Sequence, residues 1–280
     1  MNYLTLQGER EVCDYFSSLN SHSIALDIEG EYNLHVYGEK LCLIQIYDGS
    51  DFVIIDPFDF DKETLAGIFE QQHVAKVMYD ASSDLSLLKN GYDIACPSII
   101  DLKAAVDLLG HRRPNLYAVL ETYLAVRLGP KKQYQTYNWT KRPIAHNALR
   151  YALNDVKYLL ELKEVLMERL DARGLVEEFF LKNSAIQHKD YTRSPGTSIR
   201  RTRGFLALSP AEKKQFESIF AIREKYAKAL NKPPNNVITN HELLRIAKNP
   251  EQLKSMRFSG KLESRIIHAI RHEMNALVHC

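Results

Sequence analysis

Three apolar runs stand close together in the first part of the chain: SIALDIE (23–29), LCLIQIY (41–47) and FVIIDP (52–57). Each is rich in β-branched and aliphatic residues and is bounded by Gly, Asn, Asp or Ser, so each reads as a strand. Short connections between them predict a three-stranded antiparallel meander. Such a sheet needs cover, and helical patterns follow at 9–19, 62–72, 101–109, 115–126 and 145–170, the last being the longest. Between them VAKVM (74–78) reads as another strand, and ASSDLSLLKNGY opens a helix with a Ser cap. Strands first, then mixed elements, then helices predict an α/β sheet layered with helices.

Beyond residue 181 the character changes. Residues 182–205 are polar, basic and poor in periodic apolar positions, and read as a linker or surface-hugging arm. Residues 206–280 read as a small helical bundle. Ser209-Pro210-Ala211-Glu212 combines a cap, Pro at the first helical position and a capping-box Glu. Asn231-Lys232-Pro233-Pro234 stops that helix, and further helices start at Asn240 and 261.

The formal net charge of +2 hides an asymmetry: residues 1–181 hold 18 Lys+Arg against 27 Asp+Glu, and residues 182–280 hold 19 against 8. An acidic body with a basic tail fits a metal-binding part joined to a polyanion-binding part; a well-solvated basic surface is the plainer alternative. No basic n-region with an apolar core opens the chain, and no apolar stretch reaches the length of a membrane span. Cys13, Cys42, Cys96 and Cys280 form no CxxC pair, which disfavours a disulfide framework or zinc knuckle. The expectation is a cytoplasmic protein, with the first three thiols buried and Cys280 in an exposed tail.

The carboxylates carry the chemistry. Asp27 and Glu29 lie at i and i+2 on an apolar strand, so both point to one face and repel unless a cation lies between them. A strand end reaching solvent is the competing explanation. Tyr151 and Asp155 are one turn apart on an amphipathic helix, with Asp155 inside or beside the apolar stripe; an Asp hydrogen-bonded at the stripe's edge is the alternative. Asp84 sits early in a helix, where an acid also favours the helix dipole.

In order, the chain carries Asp27-Ile28-Glu29, Asp84 in YDASSDLSLL, Asp101 in IIDLKAAVDLLG, Lys132 seven residues before Trp139, and Tyr151-Ala-Leu-Asn-Asp155. This resembles the ribonuclease D branch of the DEDD 3′–5′ exonucleases, in the subgroup with Tyr in the last motif. The stretch 221–250 resembles an HRDC domain. The resemblance implies a ribonuclease H-like (DnaQ-like) sheet flanked by helices over residues 1–181, a basic linker over 182–205 and an HRDC-like nucleic-acid-binding bundle over 206–280. It implies two divalent cations, Mg²⁺ or Mn²⁺. Asp27 would bridge them, Glu29 and Asp155 would complete the site that activates water, Asp84 would support the second ion, and Tyr151 would orient the attacking water. Gly30 stands where an aromatic residue often follows the acid pair, Tyr79 where His is frequent, and Asn138 where Asp is common.

Lys132 and Arg142 are candidates for phosphate contact. Trp139 is either a stacking platform or a packed core residue. Arg200, Arg201 and Arg203, with Arg193, are candidates for neutralising phosphates along the backbone, against a plainer reading as solvated charge. The expected partner is a single-stranded 3′ end, RNA by the resemblance. DNA trimming by the same chemistry, or a dormant nucleic-acid-binding scaffold, are the competing functions.

Overall fold

The computed structural model describes residues 2–19, 21–111, 114–129, 133–194, 196–258 and 262–278. They divide into two compact units, residues 1–30 with 40–192 and residues 31–39 with 193–280. The first unit holds strands β1 (Leu4–Leu6), β2 (Ser23–Tyr32, whose last residues pass into the second unit), β3 (Glu39–Tyr47), β4 (Phe52–Ile55), β5 (Ala75–Met78) and β6 (Ile99–Asp101). They form one sheet in the order β1-β4-β3-β2-β5-β6. Its helices are α1 (Glu9–Ser18), α2 (Lys62–Phe69), α3 (Ser82–Tyr92), α4 (Leu102–Leu108), α5 (Leu116–Leu124), α6 (His146–Lys157), α7 (Leu159–Asp171) and α8 (Val176–Gln187).

β2, β3 and β4 are neighbours in chain order, as the predicted meander requires, and β3 and β4 run antiparallel with Ile44 opposite Ile55. The three-residue β1 joins parallel to β4 and has no counterpart among the sequence expectations. Strand alternation divides β2 between two faces. Ile24, Leu26 and Ile28 share a cluster with Leu41, Ile44 and Ile46 of β3 and with Leu65, Ile68 and Phe69 of α2. Ala25 lies in a cluster on the opposite face with Val77 and residues of α4, α5 and α7. Asp27 and Glu29 continue Ala25's face.

β5 runs parallel to β2 with Ala25 opposite Val77, and it ends at Met78. Asp80 then takes a positive φ of 62°, and α3 begins at Ser82. The first turn of α3 therefore follows the carboxyl end of β5, alongside the half of β2 that carries Asp27 and Glu29. A crevice beyond strand ends of this kind is where open α/β sheets bind ligands.

The predicted helix over 145–170 is two helices. At Tyr158 the backbone leaves helical geometry (φ −108°, ψ 1°), and its N–H bonds to the Val156 carbonyl. The break separates α6, which faces the site, from α7, whose Leu159, Leu162 and Leu166 fill the cluster under β2 and β5. The linker reading of 182–205 is also corrected. α8 runs through Gln187, and Asn183 is buried with its side-chain oxygen accepting from the Asp101 backbone N–H at 2.6 Å. A boundary at 181 would cut this helix.

The second unit contains α9 (Thr197–Arg200), α10 (Arg203–Leu206), α11 (Pro210–Ala229), α12 (Asn240–Lys248) and α13 (Ser264–Val278). So part of the predicted linker is helical too. The capping box at Ser209 and Glu212 is complete, and Phe216, Ile219, Phe220, Leu243, Ile246, Ile270 and Met274 form one apolar core. Residues 31–39 belong to this unit: Tyr37 packs on that core and donates to Glu224 at 3.2 Å, and Glu39 pairs with Arg193 at 3.8 Å. Cys42 and Cys96 are buried as expected, whereas Cys13 is exposed; Cys280 lies outside the described residues.

Candidate active site

The structure brings Asp27 and Glu29 of β2 together with Asp155 of α6. One carboxylate oxygen from each lies within 4.8 Å of the others. Asp155 is buried and the other two are half-buried. Asp27 and Asp155 are held by neutral donors. Gln45 of β3, itself fully buried, donates from Nε2 to Asp27 Oδ2 at 3.0 Å. Tyr117 of α5 and Tyr151 of α6 both hydrogen-bond the Asp155 carboxylate.

Asp84 is half-buried in the first turn of α3 and is not among the three converging acids. Of the three, Asp27 acts on it through its charge. Desolvation first, then Asp27, Asp101 and Asp80, push its carboxyl well above the ordinary carboxylate range. Asp101 organises the approach to it. The buried Asp101 carboxylate accepts from the backbone N–H groups of Asp80 at 2.8 Å, Ala81 at 3.1 Å and Lys103 at 3.0 Å. It thereby caps α4 and holds the turn that launches α3.

Tyr151 stands on an aromatic stack. Its ring lies 4.7 Å from the half-buried Tyr134 in stacked geometry and 6.4 Å from Trp139. Burial chiefly, then Asp155 and Glu29, raise the Tyr151 phenol far above its ordinary range, so it remains a protonated donor at neutral pH.

Three carboxylates this close in a half-buried crevice oppose ionisation unless a cation sits among them. The atoms on offer are all hard oxygens, a donor set that could hold a hard divalent cation.

Two expected contact residues have other employment. Trp139 is 3% exposed and packs in the core with Tyr137 and Tyr151, so it offers no face to a nucleotide. The Arg142 guanidinium is spent on internal bonds: a paired interaction with Asp56, the carbonyls of Trp139 at 2.7 Å, Lys141 at 3.0 Å and Cys42 at 2.7 Å, and stacking over Phe58. It fastens the loop below α6 to β3 and β4 instead of meeting phosphate. Lys132 lies outside the described residues.

In the second unit Arg200 is bidentate to Glu217, at 2.8 and 2.6 Å, and lies over the Phe220 ring. Arg201 and Arg203 are exposed. Gln45, Tyr117 and Tyr134 escaped the sequence reading. Only Gln45 left a signal, as the one amide inside the apolar run LCLIQIY.

A family model described as "3'-5' exonuclease" matches residues 3–171, which include all of these acids. The chain belongs to that family. The exonuclease is 27% identical over 259 residues to ribonuclease D of Desulfotalea psychrophila, covering 89% of this chain and 68% of that one. It is 27% identical over 240 residues to human exosome complex component 10, covering 82% of this chain but only 27% of that one. Its fold matches the catalytic core of RRP6 from Trypanosoma brucei at a TM-score of 0.79 with 21% identity, covering 99% of this chain and 79% of that one. It also matches Escherichia coli RNase D at 0.79 with 23% identity, covering all of this chain and 75% of that one. These matches bear out the ribonuclease D-like α/β fold. The enzyme thus spans about two-thirds of one curated relative and about a quarter of the other.

Proposed function

We propose that this exonuclease removes nucleotides from the 3′ end of single-stranded RNA, releasing nucleoside 5′-monophosphates. The observation that carries the reading is the meeting of Asp27, Glu29 and Asp155, with the Tyr151 hydroxyl bonded to Asp155. Asp27, Glu29 and Asp155 would hold a divalent metal, and Asp84, whose carboxyl feels the charge of Asp27, would support it from α3. Two such ions supply charge neutralisation at the attacking and leaving oxygens and make the attacking water acidic. Gln45 keeps Asp27 turned into the crevice. The Tyr151 hydroxyl, whose proton is directed at Asp155, would orient the water by accepting from it with an oxygen lone pair, and because it stays protonated it cannot serve as the base. RNA is favoured because relatives with this architecture are named ribonuclease D and exosome complex component 10, and one solved relative is described as "an exoribonuclease involved in structured RNA processing".

The second unit is assigned as an HRDC-like module. Its all-helical core, the basic excess of residues 182–280 and the exposed Arg201 and Arg203 support a role in engaging RNA beyond the active site. Among the described residues no helix is long and apolar enough to cross a membrane; we assign the enzyme to the cytoplasm.

The test uses 5′-labelled single-stranded RNA and its DNA equivalent with Mg²⁺, Mn²⁺ or EDTA. A ladder of products shortened stepwise from the 3′ end, abolished by EDTA and by Asp155→Asn, supports the reading. Binding without shortening identifies a scaffold. Equal or faster shortening of DNA overturns the choice of RNA.

A further inference from the structure

Asp155 receives two phenols, and one of them belongs to no motif of the sequence pattern. Tyr117 sits in the first turn of α5, half-buried, with its ring packed against two apolar clusters, that of Ala25, Val77 and α7 and that of Trp139 and Tyr151. Its hydroxyl bonds the Asp155 carboxylate, and it lies close enough to Glu29 and Asp27 for their charges to act on it.

The start of α5 is anchored independently. The Asn115 side chain caps the helix by accepting from the Ala118 N–H at 3.0 Å. The Tyr79 hydroxyl, at the end of β5, donates to the Pro114 carbonyl at 2.7 Å. The start of α5 that carries Tyr117 is thus held from two directions, by the residue that follows β5 and by its own helix cap.

A carboxylate has two oxygens and about four lone-pair sites. A cation and two phenols can share them without displacement. Tyr151 stands on the Tyr134 stack, whereas Tyr117 approaches from α5.

We propose that Tyr117 is a positioning residue for the metal site. It fixes the rotamer of Asp155 so that one carboxylate oxygen faces the cation, and it leaves Tyr151 to serve the water. The inference rests on the metal-site reading above. Two chemically identical side chains thereby act on different quantities, Tyr117 on metal affinity and Tyr151 on turnover.

The experiment titrates Mn²⁺ into the full-length protein and follows the free ion by electron paramagnetic resonance, alongside kcat and KM on a short single-stranded RNA. Tyr117→Phe is expected to weaken Mn²⁺ binding about tenfold, the scale for losing a hydrogen bond behind a metal ligand. Saturating Mn²⁺ restores most of its kcat, and KM for RNA is unchanged. Tyr151→Phe, which removes a bond to the same carboxylate, is expected to lose less Mn²⁺ affinity than Tyr117→Phe and to lose kcat at every Mn²⁺ concentration, saturating Mn²⁺ included. Wild-type Mn²⁺ affinity in Tyr117→Phe overturns the proposal, as does an equal loss of affinity in both variants. A Tyr117→Phe chain that does not fold also overturns it, because the role is then structural. A wild-type protein that takes up no Mn²⁺ overturns the metal-site reading itself.

Discussion

At the residue scale, the site is a set of like charges held close by donors that carry none. Gln45 and the two tyrosines satisfy carboxylate lone pairs without neutralising them, so the repulsion persists until a cation arrives. The consequence for stability has a definite sign. Asp84 has a folded-state pKa above its unfolded value. Its contribution is therefore neutral below the unfolded pKa and turns destabilising as pH rises towards the folded one. In EDTA at neutral pH, Asp84→Asn is expected to raise the thermal midpoint by a few degrees, about the shift for 1 kcal/mol in a domain of this size. The gain should shrink as pH is lowered towards about 4, near the ordinary carboxylate pKa. A midpoint lowered in EDTA at neutral pH would contradict this account of the cluster. Activity should move the other way, falling more than about a hundredfold in Asp27→Ala and Asp155→Asn, with loss of metal ligands as the cause; rates measured at saturating Mg²⁺ check it.

At the element scale, each functional side chain is placed by a small local device. Strand alternation aims Asp27 and Glu29, the α6–α7 break frees α6 to face the crevice, and Asp101 secures the turn before α3. Asn183 closes that system from α8 by accepting the Asp101 N–H. Asn183→Ala is expected to cost about 1–3 kcal/mol in urea unfolding, the penalty for a buried donor left unmade. A stability unchanged within a few tenths would show that Asn183 carries nothing. Local periodicity made much of this legible: the acid pair on one face, the Tyr151–Asp155 turn and the capping box at Ser209 all follow from spacing. The three-residue β1 is too short to have a period, with only Leu6 buried. The break at Tyr158 interrupts a sequence whose apolar pattern runs on. Trp139 takes the packed-core alternative of its two readings; Arg142 looked available because its partners, Asp56 and the Cys42 carbonyl, are distant in sequence.

At the scale of the whole molecule, the boundary between units is not a single point along the chain. Residues 31–39, which follow the strand carrying Asp27 and Glu29, find their partners in Glu224 and Arg193. A fragment ending at 181 therefore loses Asn183, the end of α8 and the partners of Tyr37 together. It is expected to be less stable than the full chain, with hydrogen exchange in β2 faster, so weak activity in that fragment would not isolate the tail's contribution to RNA binding. Paired Arg201→Ala and Arg203→Ala substitutions isolate it better, since both side chains are exposed. They should weaken RNA binding and reduce the steepness of its salt dependence by roughly one to two phosphate contacts, with kcat on short oligonucleotides unchanged. An unaltered salt slope would remove them from the interface. The proposed chemistry requires cations among Asp27, Glu29 and Asp155. The most direct measurement is the anomalous difference map of a crystal soaked in Mn²⁺. The account predicts strong density bonded to carboxylate oxygens of all three residues, with a second peak towards Asp84. A map empty at that crevice, in a crystal whose Asp155 is ordered, would contradict it.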